Sequence, residues 1–540
     1  MGVLSRPFVW KNQPPADASA ERPFFVRLLQ AGGHGVFLLG CAAGTVWLFH
    51  RSYPSNSSAF LAWLALAPFT MGLLSLRRFW TTFWYSYLTG TAVYGALCFW
   101  IFITCHVGGE MNVYLSAAAW LGLSLLLALQ FALFGVSCYF FKSLKGFFPL
   151  LAACSWVVLE WGHEWLASYF FGFPWFSLSY SQWNLLPVLQ IAAWTGAAGI
   201  SFAIVFAGVS IGYGLMMPRV LRGIVHFLLA AVVFLSVFEF GNMYLQKVPP
   251  QGLLHLKAAI MQPNIDQYKK WSPQFEQEIE ETLYLMTTQA AAENPLLVVW
   301  PESVTPGPLQ EKPYSQWLKD ISQLTGAWQL VGSNREENNK QYVSAFLLSP
   351  EGKPAGTYDK IQLVPFGEFI PLENTVRSLF SDVKVLGELG VFSAGNWEQP
   401  LLTMEQISVG STICYESVFP RLWREQARSG AHFFANLTND AWFFNTAAPY
   451  QHLAAVVLRA VENRRTVLRA ANTGISAVIS PSGEILARAE LNTRAILTAD
   501  ISLPLGKQIS FYTRWGGWFE WLCLVLYFSS FLSVLIFSRE

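Results

Sequence analysis

Charge is what this chain has least of. Only 13% of its 540 residues are Asp, Glu, Lys or Arg, whereas 53% are hydrophobic, a balance too apolar for one soluble domain. The net charge is +1 and no sustained Lys/Arg stripe occurs, which gives no footprint for a nucleic acid. Cysteine is sparse, at 7 residues. Six of them (Cys41, Cys98, Cys105, Cys138, Cys154 and Cys523) fall in or beside long apolar runs, so no pairing framework of a secreted domain is present. The 8 histidines are scattered without ligand spacing, and neither a metal nor another cofactor is expected. No internal repeat is found, which argues against a transporter built from related halves.

What the chain does have is a train of apolar runs. They cover Gly33–His50, Ala59–Leu76, Phe79–Thr104, Val113–Phe140, Phe147–Leu166, Leu185–Met216, Gly223–Leu245 and Trp518–Phe537. Each reaches or approaches the ~20 residues that cross a bilayer, so eight transmembrane helices are expected. Lys and Arg set their orientation. With the N-terminus inside, the inner segments carry Arg6, Lys11, Arg22, Arg27, Arg77, Arg78, Lys142, Lys145, Arg219, Arg222 and Arg539, and the short outer loops carry only Arg51. The expected division is a cytoplasmic leader over 1–32, a seven-helix domain over 33–246, an outer domain over 247–507, and an eighth helix with a short cytoplasmic tail over 508–540. The leader has no small-residue cleavage signal, so the first span reads as a retained anchor. Glu160, His163, Glu164, His226 and Glu239 lie within the spans, where ionisable residues are functional candidates. The stretch from Gly172 to Gln182 is a poor helix former and reads as an outer loop dipping toward lipid.

The outer domain has ordinary globular composition, and its apolar patterning alternates between strands and helices. Strands are expected at Leu256–Met261, Leu296–Trp300, Gln329–Gly332, Val343–Leu348, Ile407–Ile413, His432–Ala435, Thr466–Ala470, Ser476–Ile479 and Ile496–Asp500. Helices are expected at Ser272–Glu293, Tyr314–Leu324, Phe419–Ser429 and Tyr450–Arg464. Cys414 closes one of these strands and is alone in the domain. A lone cysteine is usually a small core residue. At a strand-to-helix turn, however, its sulfur is expected to be exposed beside free backbone N–H groups. Glu302 closes another strand, and Lys360 and Glu368 share a loop punctuated by Gly and Pro. Singly, Glu302 reads as an acid in a helix's first turn and Lys360 as a surface lysine. Together with Cys414 they supply a base, a cation and a nucleophile, the set that thiol-based acyl transfer requires.

Five ordered blocks, Trp300-Pro301-Glu302-Ser303, the segment Lys360 to Pro371, Cys414-Tyr415-Glu416, Asn439-Asp440-Ala441-Trp442-Phe443 and Asn472-Thr473-Gly474-Ile475-Ser476, resemble the signatures of the nitrilase (carbon–nitrogen hydrolase) superfamily. Set in an eight-span frame, and with Gly172-Phe173-Pro174-Trp175, the chain resembles the membrane-bound branch of that superfamily that acylates lipoproteins. The resemblance implies an αββα sandwich with a Glu302–Lys360–Cys414 triad. It implies supporting roles for Glu368, Tyr415 and Glu416, and substrate contacts from Trp271, Asn439 and Trp442. It further implies transfer of a fatty acyl chain from a phospholipid, through a thioester on Cys414, to the α-amino group of a diacylglyceryl-cysteine, by a monomer in the bacterial inner membrane with its catalytic domain in the periplasm. Members commonly have Gly where this chain has Phe444, and an Arg near Ala167; both departures touch substrate loops rather than the triad. Two other readings compete: a tethered amidase or nitrilase acting on a soluble substrate, and a transporter or receptor with an outer ligand-binding domain.

Overall fold

A computed structural model of the chain describes residues 33–56, 58–170, 172–247, 253–270, 272–373, 392–504 and 509–537. Helices α1 (His34–Ser52), α2 (Ala59–Ser75), α3 (Phe79–Leu97), α4 (Val113–Phe141), α5 (Phe148–Tyr169), α6 (Ala197–Leu215) and α7 (Val220–Lys247) precede the outer domain. By length and composition alone, four described stretches could cross a membrane: Val113–Tyr169, Ala197–Leu215, Val220–Gln246 and Trp518–Ile536. A fifth is added if Phe79–Leu97 and Trp100–Gly108, bent by 52°, form one span. The first of these stretches turns at Lys145, whose φ is +24°, and so contains both α4 and α5.

Two of the expected runs are not single helices. Phe79–Thr104 breaks after Leu97 because its last piece is held by the outer domain: Trp100 Nε1 donates to Gln451 Oε1 at 3.1 Å, and Thr104 Oγ1 to the Trp442 carbonyl at 3.0 Å. Leu185–Met216 falls into Leu186–Leu189, Ala192–Thr195 and α6, with Pro187 confined to the first turn of its short piece. The segment around Pro174, expected as an outer loop dipping toward lipid, packs against protein. Trp175 and Leu178 are buried, because Trp175 Nε1 donates to Gln451 and the Tyr415 hydroxyl to the Gly172 carbonyl.

The outer domain is two six-stranded sheets. Strands β1 (Leu253–Gln262), β2 (Leu297–Val299), β3 (Trp328–Glu337), β4 (Lys340–Leu348) and β5 (Pro354–Asp359) form the first, ordered β12-β1-β2-β3-β4-β5 with β12 (Ala495–Pro504). Strands β6 (Leu402–Met404), β7 (Ile407–Ile413), β8 (Phe433–Thr438), β9 (Val467–Ala471), β10 (Ala477–Ile479) and β11 (Ile485–Arg488) form the second. In each sheet three central strands run parallel and the outer ones antiparallel. Helices α8 (Glu276–Ala291) and α9 (Tyr314–Thr325) set Leu283, Met286, Leu318 and Ile321 against the first sheet. Helices α10 (Pro420–Arg428) and α11 (Ala448–Asn463) cover the second. Every residue of α11 except the half-buried Tyr450 is buried, since the bundle covers the face that the sheet does not. The last helix, α12 (Trp518–Phe537), returns along α5.

Parallel strands deliver their C-terminal ends to one edge, where α/β proteins place ligands. Here that edge receives the turns after β2, β7, β8 and β9. Strands β5, β6 and β11 had no counterpart in the sequence reading. They are the outer strands of their sheets, β5 begins at Pro354, and their alternation is weak because they are half-exposed or three residues long.

Candidate active site

Four chain segments converge on Lys360. The β2 strand ends at Val299, and the following turn presents Glu302. Gly332 on β3 makes that turn possible: a Cβ there would stand 2.3 Å from the Pro301 carbonyl and 2.7 Å from Glu302 Cα. Lys360 follows β5 and is wholly buried. Its Nζ donates to Glu302 Oε1 at 3.0 Å and to Glu368 Oε1 at 2.6 Å. The second oxygen of Glu302 accepts the Asn439 backbone N–H at 2.9 Å, and the second oxygen of Glu368 accepts that of Val364 at 2.9 Å. Burial alone would lower the ammonium pKa; Glu302 and Glu368, with a smaller contribution from Cys414, hold it well above its ordinary value. Lys360 therefore stays cationic. Burial raises the Glu368 carboxyl, with Lys360 pulling against it and Glu302 adding to the rise.

Cys414 closes β7 with φ at +48°, a conformation that costs a non-glycine residue about 1–3 kcal/mol and persists where its surroundings over-determine it. Glu416 supplies part of that constraint. Its Oε2 accepts the Ile413 N–H at 2.6 Å, and its Oε1 accepts the Tyr358 hydroxyl at 2.9 Å and the N–H groups of Ile361 and Gln362 at 2.6 and 3.2 Å. Burial nevertheless pushes this carboxyl up to about 7. One side chain thus ties the cysteine turn to the chain leaving Lys360. Tyr415 stacks on Phe173 with ring centroids 5.8 Å apart, joining the same turn to the membrane part.

The sulfur is not exposed: Cys414 is only 9% accessible, in a turn whose Tyr415 packs on Phe173, Trp175 and Phe419. Burial, then Glu302, raise its pKa and Lys360 only partly offsets them, so the resting group is a thiol rather than a thiolate. Alkylation of Cys414 should therefore climb about tenfold per pH unit from pH 6 to 9, since only the thiolate reacts. A rate already flat below pH 7, read by iodoacetamide labelling and mass spectrometry, would contradict the raised value.

The structure brings Glu302, Lys360, Glu368, Cys414, Tyr415, Glu416 and Asn439 together. Trp442 lies at the rim, 41% accessible, and its carbonyl accepts from Thr104. Trp271 lies outside the described residues. Sequence reasoning missed a buried polar set behind the cysteine, namely Asn436, Asp440, His452 and Arg469, and also Lys270, whose Nζ donates to the Glu302 carbonyl at 3.2 Å. Burial lowers the Lys270 ammonium to about 8. One signal was available: Arg469 is a charged residue in an otherwise apolar strand, and so needs buried partners.

What the two sheets and their shared edge define is a carbon–nitrogen hydrolase domain. Residues 257–510 match the family model "Carbon-nitrogen hydrolase", and residues 25–210 match "Apolipoprotein N-acyltransferase N-terminal domain". Among solved structures, an amidase from Nesterenkonia sp. AN1 is similar at 20% identity and TM-score 0.36, covering 46% of this chain and 93% of that one. A carbon–nitrogen hydrolase from Helicobacter pylori G27 gives 15%, 0.37, 46% and 89%. Curated relatives extend over both parts. The apolipoprotein N-acyltransferase of Geobacter metallireducens is 35% identical over 529 residues, 93% of this chain and 96% of its own. That of Azotobacter vinelandii is 30% identical over 87% and 93%. The chain belongs to the apolipoprotein N-acyltransferase family: a membrane enzyme that carries its acyltransferase site on a carbon–nitrogen hydrolase fold.

Proposed function

We propose that the protein transfers a fatty acyl chain from a phospholipid to the α-amino group of an N-terminal diacylglyceryl-cysteine, through a thioester on Cys414. The observation that carries this reading is the buried Lys360 ammonium, shared by Glu302 and Glu368 and close enough to Cys414 to shift its thiol.

Glu302 takes the thiol proton as Sγ attacks the ester carbonyl. Lys360 Nζ and the Tyr415 N–H receive the oxyanion, each donor contributing about 3–4 kcal/mol. The C–O bond breaks, the lysophospholipid oxygen takes the proton back from Glu302, and the acyl group remains on sulfur. The neutral amine then attacks the thioester carbonyl and Glu302 takes its proton. The C–S bond breaks, and Sγ regains a proton as the amide forms. Glu368 holds Lys360, Glu416 holds the cysteine turn, and Trp271, Asn439 and Trp442 serve the substrates.

In this reading α1–α7 and α12 are eight spans. The outward faces of α7 and α12, with Leu221, Leu228, Val232, Val525, Phe528 and Leu532 exposed, suit lipid. The segments divide as leader 1–32, seven helices over 33–246, catalytic domain over 247–507 and final helix with tail over 508–540. Lys and Arg asymmetry places both termini in the cytoplasm and the catalytic domain on the periplasmic side of the inner membrane. The enzyme works as a monomer.

The test uses purified protein, one defined phospholipid and a synthetic diacylglyceryl-cysteine peptide. Acylated peptide and lysophospholipid should accumulate in equal amounts. Free fatty acid without acylated peptide would make the protein a lipid hydrolase instead.

A further inference from the structure

A buried ion cluster meets the Cys414 backbone. The Cys414 carbonyl lies 2.9 Å from His452 Nε2, and His452 Nδ1 lies 2.8 Å from Asp440 Oδ1. Asp440 Oδ1 also accepts the Thr438 hydroxyl at 3.1 Å, and its Oδ2 accepts Arg469 Nη2 at 2.8 Å. Arg469 is spent in turn on Asn436 Oδ1 at 2.5 Å and the Ile475 carbonyl at 3.2 Å. His452, Asp440 and Arg469 are at most 1% accessible. Burial works against the Asp440 carboxylate, yet Arg469 and His452 bring its pKa to about 2. Gly474 leaves room for it, since a Cβ there would lie 2.2 Å from Asp440 Oδ2.

A carbonyl oxygen only accepts, so the ring nitrogen facing Cys414 carries a proton whichever state Nδ1 adopts. The peptide plane between Cys414 and Tyr415 is rigid, with its C=O and N–H on opposite sides. Fixing the oxygen on His452 therefore turns the Tyr415 N–H away from the ion cluster. That N–H lies in the first turn of the Cys414–Val418 3₁₀ segment, where backbone donors lack partners inside the helix. Glu416 clamps one flank of the nucleophile at the Ile413 N–H, and His452 clamps the other at the Cys414 carbonyl.

We propose that His452, anchored by Asp440 and Arg469, is a positioning residue that aims the Tyr415 N–H at the oxyanion. The assignment rests on the acyl-transfer reading above. Acylation of Cys414 passes through an oxyanion, whereas alkylation by iodoacetamide displaces iodide directly and forms none. A residue that aims an oxyanion donor therefore affects the first reaction and spares the second; one that merely supports the fold does not separate them.

The experiment measures both rates on the full-length protein in detergent with a defined phospholipid. His452→Leu should slow acyl-adduct formation roughly 10²-fold, the loss seen for a missing oxyanion donor, with alkylation left within about twofold of the parent. His452→Gln, whose amide N–H reaches the same carbonyl, should recover most of the acylation rate. His452→Asn is too short to reach it and should behave as the Leu variant; the Gln–Asn comparison decides where leucine prevents folding. Acylation at the parent rate in the Leu and Asn variants, or equal losses in both reactions, would overturn the assignment. A parent protein that alkylates but never forms an acyl adduct would instead overturn the acyl-transfer reading, and this assignment with it.

Discussion

Cys414→Ala is expected to carry out no phospholipid-dependent N-acylation, a loss on the order of 10⁴-fold or more, as when a covalent nucleophile is removed. The expected size follows from the two-step route. Without the sulfur no bond holds the acyl chain between donor and acceptor, and direct attack of an amine on a lipid ester has neither a positioned leaving group nor an intermediate to share the barrier. The substitution removes one small atom from a turn still held by Glu416 and Tyr415, so the fold should persist; a thermal melt close to the parent's checks this. Cys414→Ser should be nearly as inactive, because a buried hydroxyl gives up its proton less readily than a thiol. Normal acylation by either variant, read as acylated peptide by mass spectrometry, would remove the nucleophile from the mechanism.

Glu302→Gln should stop thioester formation while leaving Cys414 in place. Because burial and the neighbouring carboxylate keep the resting sulfur protonated, the attack needs a base within the site. General-base loss of this kind costs roughly 10²–10⁴-fold. Lys360 would keep Glu368 as its counter-ion at 2.6 Å, so the ammonium is not stranded by the change. An undiminished single-turnover burst of acyl adduct in Glu302→Gln would give the base role to another group, and Lys270, lowered to about 8 beside the Glu302 carbonyl, would be the next to test.

The chemistry-bearing strand ends were legible because each carries its own punctuation. A β-branched run stops at Cys414, an apolar run stops at Pro301 before Glu302, and Gly and Pro frame Lys360 and Glu368. Helices with continuous apolar patterning, such as α2, α4 and α12, matched their expected limits within a residue or two. What stayed hidden depends on contacts between distant segments. The break after Leu97 follows from Gln451 and Trp442, hundreds of residues away. The burial of the Cys414 turn is equally invisible locally, since its neighbour Tyr415 stacks on Phe173 and Trp175 from the membrane part. His452 was one of eight scattered histidines, and nothing local says that Asp440, Arg469 and the Cys414 carbonyl meet there. Edge strands β5, β6 and β11 were lost for another reason: short, half-exposed segments have too little alternation to stand out.

The most direct measurement is the intact mass of the protein after incubation with a phospholipid of defined acyl chains, followed by addition of the diacylglyceryl-cysteine peptide. The expected result is a single acyl adduct, mapped to Cys414 and labile to hydroxylamine, that disappears as the peptide gains the same mass. An adduct on any other residue, or peptide acylation while Cys414 stays unmodified and alkylated throughout, would contradict the account.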